Sequence, residues 1–273
     1  MSELSTSDDR SRPPEARAAI SPRLVLLFWQ VMVIVAWLCV WQLIVSLQLV
    51  DAIIAKSPRQ VFAFIWQSAS SGELWFNAYA TMKAVFIAFA LASIVGILVG
   101  ISLGLLGGLE RVLTPFLDAL NAMPRIALAP VFVVALGIGI EAKVALAFSV
   151  VVFVVLSSAQ AGVRSADPEI LRMSTVFGIT RFQLFYKVLL PVSVPAIFSG
   201  LRLGLVYALL GVIGSEIIAS QEGLGQLIAR YSGEFRMDAV YGILIVLAII
   251  ASLLNMVSAA AERWLLRWRA PGV

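Results

Sequence analysis

Long apolar stretches dominate this sequence, and their lengths restrict the folds that the chain can adopt. There are six of them, at residues 24–46, 84–106, 126–140, 144–163, 196–215 and 239–260. An α-helix needs about 20 apolar residues to cross roughly 30 Å of bilayer hydrocarbon, because each residue advances the helix by about 1.5 Å. The sequence therefore predicts an all-α polytopic membrane protein with about six transmembrane helices.

The side-chain composition excludes most enzyme classes. Hydrophobic residues make up 61% of the 273 residues, charged residues make up 13%, and histidine is absent. Without imidazole the chain can form neither a Ser-His-Asp nor a Cys-His nucleophile, and it lacks a ligand that most zinc, haem and di-iron sites require. Cys39 is the only cysteine, which rules out an internal disulfide and a thiolate cluster. We therefore expect no catalytic residues and no metal site.

The positions of Lys and Arg predict how the helices are oriented. If the N-terminus is cytoplasmic, thirteen basic residues fall on the cytoplasmic side and six on the opposite side, with Arg202 inside the fifth apolar stretch. Basic residues are enriched in the cytoplasmic loops of membrane proteins. Both termini are therefore predicted to be cytoplasmic.

The order of these segments predicts the organisation of the chain. Residues 1–22 form a polar, disordered cytoplasmic tail, and residues 23–50 contain the first transmembrane helix. Residues 51–83 form an external segment in which Ser57-Pro58 starts a helix suited to the membrane surface. Residues 84–263 form a core of five transmembrane helices with a loop at 164–191, and residues 264–273 form a second cytoplasmic tail.

Glycines recur at every fourth position of the second apolar stretch, at Gly96, Gly100 and Gly104. This spacing leaves a groove along one helix face, into which the backbone of another helix fits closely. We interpret these glycines as a helix-packing surface.

The loop at 164–191 has the pattern of two short helices joined by a glycine. Asp167-Pro168 is a typical helix start, and Ile170, Met173, Val176 and Phe177 follow as an apolar stripe. Gly178 ends this helix, and a capping box from Thr180 to Gln183 starts a second helix that ends at Pro191. An apolar stripe in such a loop either packs beneath the protein's own spans or fits a groove on a partner.

The same loop resembles the signature loop of permease subunits of bacterial ATP-binding-cassette (ABC) importers. That signature reads Glu-Ala-Ala, three residues, Gly, nine residues, an aliphatic residue, any residue, then Leu-Pro. Gly178, Val188 and Leu190-Pro191 stand at the matching intervals, whereas Arg172-Met173-Ser174 replaces Glu-Ala-Ala. Residues 123–130, 137–143, 215–220 and 223–225 are similar to the branch that imports nitrate, taurine and other sulfonates.

The resemblance implies the type I fold of ABC importer permeases, in a bacterial inner membrane, with the external segment in the periplasm. It implies that the loop docks into a separate ATPase subunit, where ATP and Mg²⁺ bind, and that this chain itself holds no cofactor. None of the four lysines follows a glycine, so the chain has no Gly-Lys phosphate-binding loop. The docking residues implied by the match are Glu169, Ile170, Arg172, Met173, Ser174, Val176, Phe177, Gly178, Ile179, Thr180 and Arg181.

The other partners implied by the resemblance are a second permease subunit, most simply an identical copy, and a periplasmic substrate-binding protein. The solute would be a small anion: a sulfonate, taurine, nitrate or a similar organic acid. An ion-gradient-driven secondary transporter is the alternative function.

Polar side chains within the apolar stretches are candidates for the translocation path, because burying a charge in a membrane costs on the order of 3 kcal/mol. The candidates are Arg202, Ser157, Ser158 and Glu216. Arg202 could attract an anion, but it could also reach the interface or pair with a carboxylate. The two serines could instead bond to their own helix backbone.

Overall fold

The computed structural model describes residues 22–51 and 53–267, which fall into two compact units, Met1–Ala52 and Ile53–Val273. The predicted tails lie largely outside the described residues. In the first unit, α1 (Pro22–Ser46) is 25 residues long and apolar on all sides, as the first predicted span requires.

Every regular element of the second unit is helical in the part that the structure describes. The helices are α2 (Pro58–Ser70), α3 (Glu73–Leu105), α4 (Gly107–Ala122), α5 (Ala129–Leu136), α6 (Ile140–Arg164), α7 (Pro168–Val176), α8 (Arg181–Leu184), α9 (Leu190–Ile218), α10 (Leu224–Gly233) and α11 (Met237–Leu265). A 3₁₀ turn (Arg125–Leu128) precedes α5, and a π-helical turn (Phe185–Leu189) precedes α9.

Three long helices, α3, α6 and α9, form the centre of this unit. Their contact surfaces are lined by small and β-branched side chains, of which Ala88, Val155 and Ala208 are fully buried. A Cβ atom at Gly96 would lie 2.9 Å from the carbonyl oxygen of Val152, and one at Gly104 would lie 2.7 Å from Cβ of Val163. The glycine groove of α3 therefore receives the backbone of α6, the close approach that small residues allow between membrane helices.

A second apolar cluster joins α2, α10 and α11 at one end of the bundle. Helix α2 begins at Pro58 with a capping box between Ser57 and Gln60. Its buried Phe64 packs edge to face on Tyr231 of α10, with ring centroids 5.4 Å apart. The helix start at Ser57-Pro58 agrees with the sequence analysis, and its position on the membrane surface remains a prediction.

The second and third predicted spans have boundaries different from those expected. Helix α3 begins at Glu73 rather than at residue 84, so Lys83 lies within the helix. The hydropathy of the sequence does not reveal this start, because the first turns of α3 contain polar residues. The side chains of these residues form hydrogen bonds with other elements of the fold. The third span is a bent pair, Gly107–Ala122 with Arg125–Leu136, meeting at 78°. The bend lies at Pro124, which lacks the N–H needed to continue α4 and holds Met123 in an extended conformation.

Among residues 22–51 and 53–267, five helices are long and apolar enough to cross a membrane, and the bent pair brings the number to as many as six. This agrees with the predicted all-α fold of about six transmembrane helices.

Candidate functional site

We define the elbow as residues 168–184, which comprise α7, the turn around Gly178 and α8. It has the helix–glycine–helix geometry that the sequence predicts. The N–H of Glu169 donates to Oδ1 of Asp167 at 2.8 Å, which starts α7. Gly178 has φ +66°, a left-handed conformation that a residue with a side chain adopts only with strain. The N–H of Gln183 donates to Oγ1 of Thr180 at 3.3 Å, and the N–H of Thr180 donates to Oε1 of Gln183 at 3.1 Å.

The second helix of the elbow does not end at Pro191 as predicted. The chain continues from α8 through the π-helical turn into α9, where the N–H of Leu190 donates to the carbonyl of Phe185. Pro191 has no N–H with which to continue the hydrogen bonding of a helix. The wider π-helical turn places Pro191 in the first turn of α9, where an N–H has no partner within the helix. The elbow is therefore continuous with α9, and residues 165–167 alone separate it from α6.

The apolar stripe of the elbow is exposed. Val176 is 85% exposed and Phe177 is 79% exposed, and Ile170 and Met173 are exposed as well. No described residue of this chain covers them, so the structure does not support packing beneath the protein's own spans. A contiguous exposed apolar surface of this kind is typical of an interaction site.

The remaining predicted docking residues have different environments. Glu169, Arg172, Gly178 and Thr180 are exposed, and Ile179 is half-buried. Ser174 is buried, and its hydroxyl donates to the carbonyl of Ile170 at 2.7 Å. Arg181 starts α8, but its side chain lies outside the described part of the structure.

A cleft of about 630 Å³ lies between the elbow and the ends of the core helices. It is lined mainly by apolar side chains: Leu105, Leu106, Val163, Ala166, Leu171, Leu184, Phe185 and Leu189. Beside it, the buried carboxylate of Glu110 on α4 pairs with Arg164 and accepts a hydrogen bond from Gln160. Much of the elbow is thus separated from the core by open space.

At the opposite end of the bundle, a buried polar cluster holds the start of α10. We call it the α10 clamp, and it consists of Asn77, Thr81, Lys143 and Glu216 with the backbone of residues 222–225. The exposed fraction of Glu216 is 1% and that of Lys143 is 2%. Nζ of Lys143 lies 3.2 Å from Oε1 of Glu216 and donates to the carbonyl of Glu222 at 2.6 Å. The hydroxyl of Thr81 donates to the same carboxylate at 2.9 Å.

Three backbone N–H groups at the start of α10 bind side chains of the clamp. The N–H of Gly223 donates to Oδ1 of Asn77 at 2.8 Å, that of Leu224 to Oγ1 of Thr81 at 2.9 Å, and that of Gly225 to Oε2 of Glu216 at 2.9 Å. These donors have no partner within their own helix. Side chains of α3 and α9 therefore accept hydrogen bonds from the first N–H groups of α10, and the clamp attaches α10 rigidly to the core.

Residues 92–270 match the protein family described as "Binding-protein-dependent transport system inner membrane component". The chain belongs to this family. The permease is also 34% identical over 230 residues to the riboflavin transport system permease protein of Chloroflexus aurantiacus, covering 84% of this chain and 86% of that protein. It is 32% identical over 237 residues to the taurine transport system permease protein of Escherichia coli, covering 85% and 86%. A putative aliphatic sulfonates transport permease protein of Bacillus subtilis is 28% identical over 232 residues, covering 85% and 84%.

The permease also resembles solved structures. A chain of the MetNI methionine ABC transporter, solved in inward-facing conformations, aligns with a TM-score of 0.61 at 19% identity, covering 68% of the permease and 92% of that chain. An amino acid ABC transporter aligns with a TM-score of 0.58 at 16% identity, covering 76% and 98%. These likenesses establish the type I importer permease fold. The matched family is described as an inner membrane component, and the relatives are named as permease proteins of transport systems.

Arg202 is not a free cation in the permease. Its Nε donates to Oδ1 of Asn255 at 2.9 Å, and its NH1 lies 3.6 Å from a carboxylate oxygen of Glu262 on α11. Of the three interpretations of this residue, the geometry supports pairing with a carboxylate.

The other three path candidates have different environments. Ser158 donates to the carbonyl of Val154 on its own helix at 2.8 Å, and Ser157 is exposed. Glu216 lies inside the α10 clamp. The structure does not bring Arg202, Ser157, Ser158 and Glu216 together into one site.

Sequence reasoning missed Asn77, Thr81 and Lys143. Lys143 lies in the short connection between the third and fourth predicted spans, and the other two residues precede the predicted start of the second span. Two signals were available: a lysine adjoining an apolar stretch, and a Gly-Leu-Gly segment whose N–H groups need acceptors.

Proposed function

We propose that the permease moves a small anionic solute across the bacterial inner membrane by alternating access, driven by an ATPase that docks on the elbow. The exposed stripe of the elbow carries this proposal, because Val176 and Phe177 form an apolar surface that this chain leaves uncovered. Anionic solutes are supported by the relatives named for taurine and aliphatic sulfonates. Other relatives are named for riboflavin and formylaminopyrimidine, so the solute class needs a direct test.

The coupling mechanism follows from how the elbow connects to the core. Only residues 165–167 separate α6 from α7, and α8 runs into α9 through the π-helical turn. A displacement of the elbow therefore reaches two of the three central helices directly. Because α6 and α9 are also joined by Lys143 and Glu216, their far ends move together with α10. ATP shifts the populations of inward-open and outward-open states if the docked ATPase binds one state better in each nucleotide form.

The proposed assembly contains two identical copies of the permease related by a two-fold axis, an ATPase dimer and a periplasmic substrate-binding protein. Both termini are cytoplasmic, which the thirteen-to-six distribution of basic residues supports. The elbow then faces the cytoplasm, where the ATPase works, and α10 faces the periplasm.

Uptake into proteoliposomes tests this function. The permease is reconstituted with the ATPase and binding protein of its transport system, and uptake of labelled taurine, ethanesulfonate, nitrate and riboflavin is compared with and without internal ATP. We expect ATP-dependent uptake of taurine, ethanesulfonate or nitrate, each of which carries an anionic sulfonate or nitrate group. Uptake of riboflavin alone would overturn the anionic class. Uptake that continues without the ATPase and collapses with the ion gradient would overturn the ABC mechanism.

Docking at the elbow is tested with the double variant Val176→Ala/Phe177→Ala. Each side chain contributes exposed apolar area, so we expect the ATPase to co-purify about tenfold less well. Phe76→Ala is the matched control, since Phe76 is an exposed aromatic residue at the other end of the bundle. Equal recovery of the ATPase with both variants would contradict the elbow as its docking surface.

A further inference from the structure

The turn between α10 and α11 holds an aromatic residue in a conformation that favours glycine. Phe235 has φ +57°, whereas bulky residues rarely adopt a positive φ. The N–H of Phe235 donates to the carbonyl of Ser232 at 3.1 Å, and the N–H of Arg236 donates to the carbonyl of Tyr231 at 2.9 Å. These two bonds form a Schellman motif, in which glycine is the usual residue at the position of Phe235.

The ring of Phe235 contributes little to packing among the residues that the structure describes. Its side chain is 68% exposed, although Tyr231 on α10 and Phe64 on α2, which pack on each other, are buried. A glycine would form the same motif without strain and without an exposed apolar ring. Strained residues of this kind persist where the surrounding structure holds them, and they cluster at functional sites.

Several interactions hold the turn in one conformation. The guanidinium of Arg236 lies 5.0 Å from the ring centroid of Tyr231 and 5.6 Å from that of Phe64, and it pairs with Asp238 at 3.6 Å. Tyr231 donates to a carboxylate oxygen of Glu73 at 3.0 Å. Burial raises the pKa of the Tyr231 phenol above its ordinary value.

The position of Arg230 completes this support. Its NH2 lies 2.6 Å from Oε1 of Glu73, and this hydrogen bond raises the pKa of Arg230. Helix α10 is thus bound to α3 through Glu73 at one end and through the α10 clamp at the other. Phe235 projects from a rigid support, and the charged residues Glu234 and Arg236 adjoin it in the sequence.

We propose that Phe235 is the anchor by which the permease binds its substrate-binding protein, inserting into an apolar pocket with a charged rim. A rigid aromatic side chain within a polar rim is the usual composition of an interaction hot spot, because little conformational entropy is lost on binding. The turn lies at the end of the bundle opposite the elbow, and the family description itself requires a binding protein. The inference rests on the proposed function, which supplies this partner.

The exposed aromatic residues Trp66, Trp75, Phe76 and Tyr79 lie at the same end of the bundle and suggest a different use for an aromatic ring, anchoring in the lipid interface. Trp75, Phe76 and Tyr79 belong to a membrane-spanning helix, whereas Phe235 precedes α11 and lies between the charged residues Glu234 and Arg236. Lipid anchoring is therefore an outcome that the experiment must separate from docking.

The test measures the Kd of the purified binding protein, saturated with taurine, for the permease–ATPase complex in nanodiscs. Phe235→Gly and Phe235→Ala should both weaken binding about tenfold or more, and Phe235→Trp should retain it. Phe235→Gly should also raise the melting temperature by about 2 °C or more, because the strain is removed. Phe76→Ala is the control and should bind as the wild type does.

The results distinguish a failure of the proposed function from a failure of the anchor role of Phe235. If the wild-type complex binds no binding protein, with taurine or with the solute selected by the uptake assay, the proposed function fails. If the wild type binds and Phe235→Gly binds equally well, the anchor role alone is overturned. Loss of binding together with a lower melting temperature in Phe235→Gly would assign Phe235 a structural role. An equal loss in Phe76→Ala would assign the effect to the lipid interface, which also overturns the anchor.

Discussion

The ammonium of Lys143 and the carboxylate of Glu216 lie 3.2 Å apart at one end of the helix bundle, with both side chains almost fully buried. They join α6 to α9, two helices that leave the elbow at the other end. The same carboxylate accepts the N–H of Gly225, so the pair also determines where α10 begins. An ion pair is retained inside an apolar bundle when its hydrogen bonds are satisfied, and here Thr81 and the carbonyl of Glu222 complete them.

Replacing one member of this pair should destabilise the permease strongly. In Glu216→Leu the ammonium of Lys143 remains buried without its counter-ion, and the N–H of Gly225 loses its acceptor. We expect a loss of about 3–5 kcal/mol in the free energy of unfolding. Thermal unfolding of the purified protein measures it.

The double variant Lys143→Met/Glu216→Leu is the control for the charge. It removes both ions and keeps similar volumes, so much of the stability should return, while the uncapped α10 should remain less protected from hydrogen exchange. A double variant as unstable as Glu216→Leu would show that packing, rather than an unpaired charge, causes the loss.

The close approach of α3 and α6 predicts the effect of adding one methyl group. A Cβ atom at Gly100 would overlap the carbonyl oxygen of Leu156 and lie 2.8 Å from Cβ of Ala159. Gly100→Ala should therefore cost about 1–3 kcal/mol, because the helices must separate. Gly107→Ala is matched, since a Cβ there meets nothing within 4 Å, and its melting temperature should stay near that of the wild type.

The turn of the elbow predicts a defect in coupling. Gly178 has φ +66°, so Gly178→Val forces a β-branched residue into the left-handed region at a cost of about 1–2 kcal/mol. We expect ATP-driven uptake to fall about tenfold as the docking surface is displaced. Asparagine tolerates this conformation, so Gly178→Asn should retain most of the uptake. Full uptake by the valine variant would argue against a rigid elbow.

The contacts of Arg202 predict a small effect on stability. Its partner Glu262 lies 3.6 Å away, and the Arg202 side chain is partly exposed, so the pair should contribute about 1 kcal/mol or less. A double-mutant cycle of Arg202→Gln and Glu262→Gln measures this coupling. If Arg202 binds the anionic solute instead, the KM of uptake rises in Arg202→Gln and stays unchanged in Glu262→Gln.

Local patterns in the sequence predicted the elbow well. The helix start at Pro168, the left-handed Gly178 and the capping box from Thr180 to Gln183 each depend on residues within one turn. The end of the second helix at Pro191 was wrong, because a π-helical turn accommodates the proline and continues the helix. The exposure of Val176 and Phe177 could not be predicted, since it depends on whether another part of the chain covers them.

Hydropathy predicted the number of spans but not their ends. Helix α3 extends back to Glu73 because Asn77 and Thr81 find backbone donors on α10, more than 140 residues further along the chain. Hydropathy scores these polar residues as unfavourable in a span, although their hydrogen bonds are satisfied in the fold. The third span was also predicted too short, because the helix before the bend at Pro124 is amphipathic rather than uniformly apolar.

The sequence by itself determined the membrane class, the helical fold and the elbow, because apolar length, helix capping and glycine conformation act between near neighbours. Its separated motifs, through their resemblance to known permeases, indicated the family. The tertiary structure decided the α10 clamp, the pairing of Arg202 with Asn255 and Glu262, and the exposure of the elbow. Lys143 and Glu216 are 73 positions apart, and neither residue reveals its partner from its surroundings in the sequence. Burying each charge alone is unfavourable, so their positions become favourable only when α3, α6 and α9 pack together and bring the opposite charge within reach.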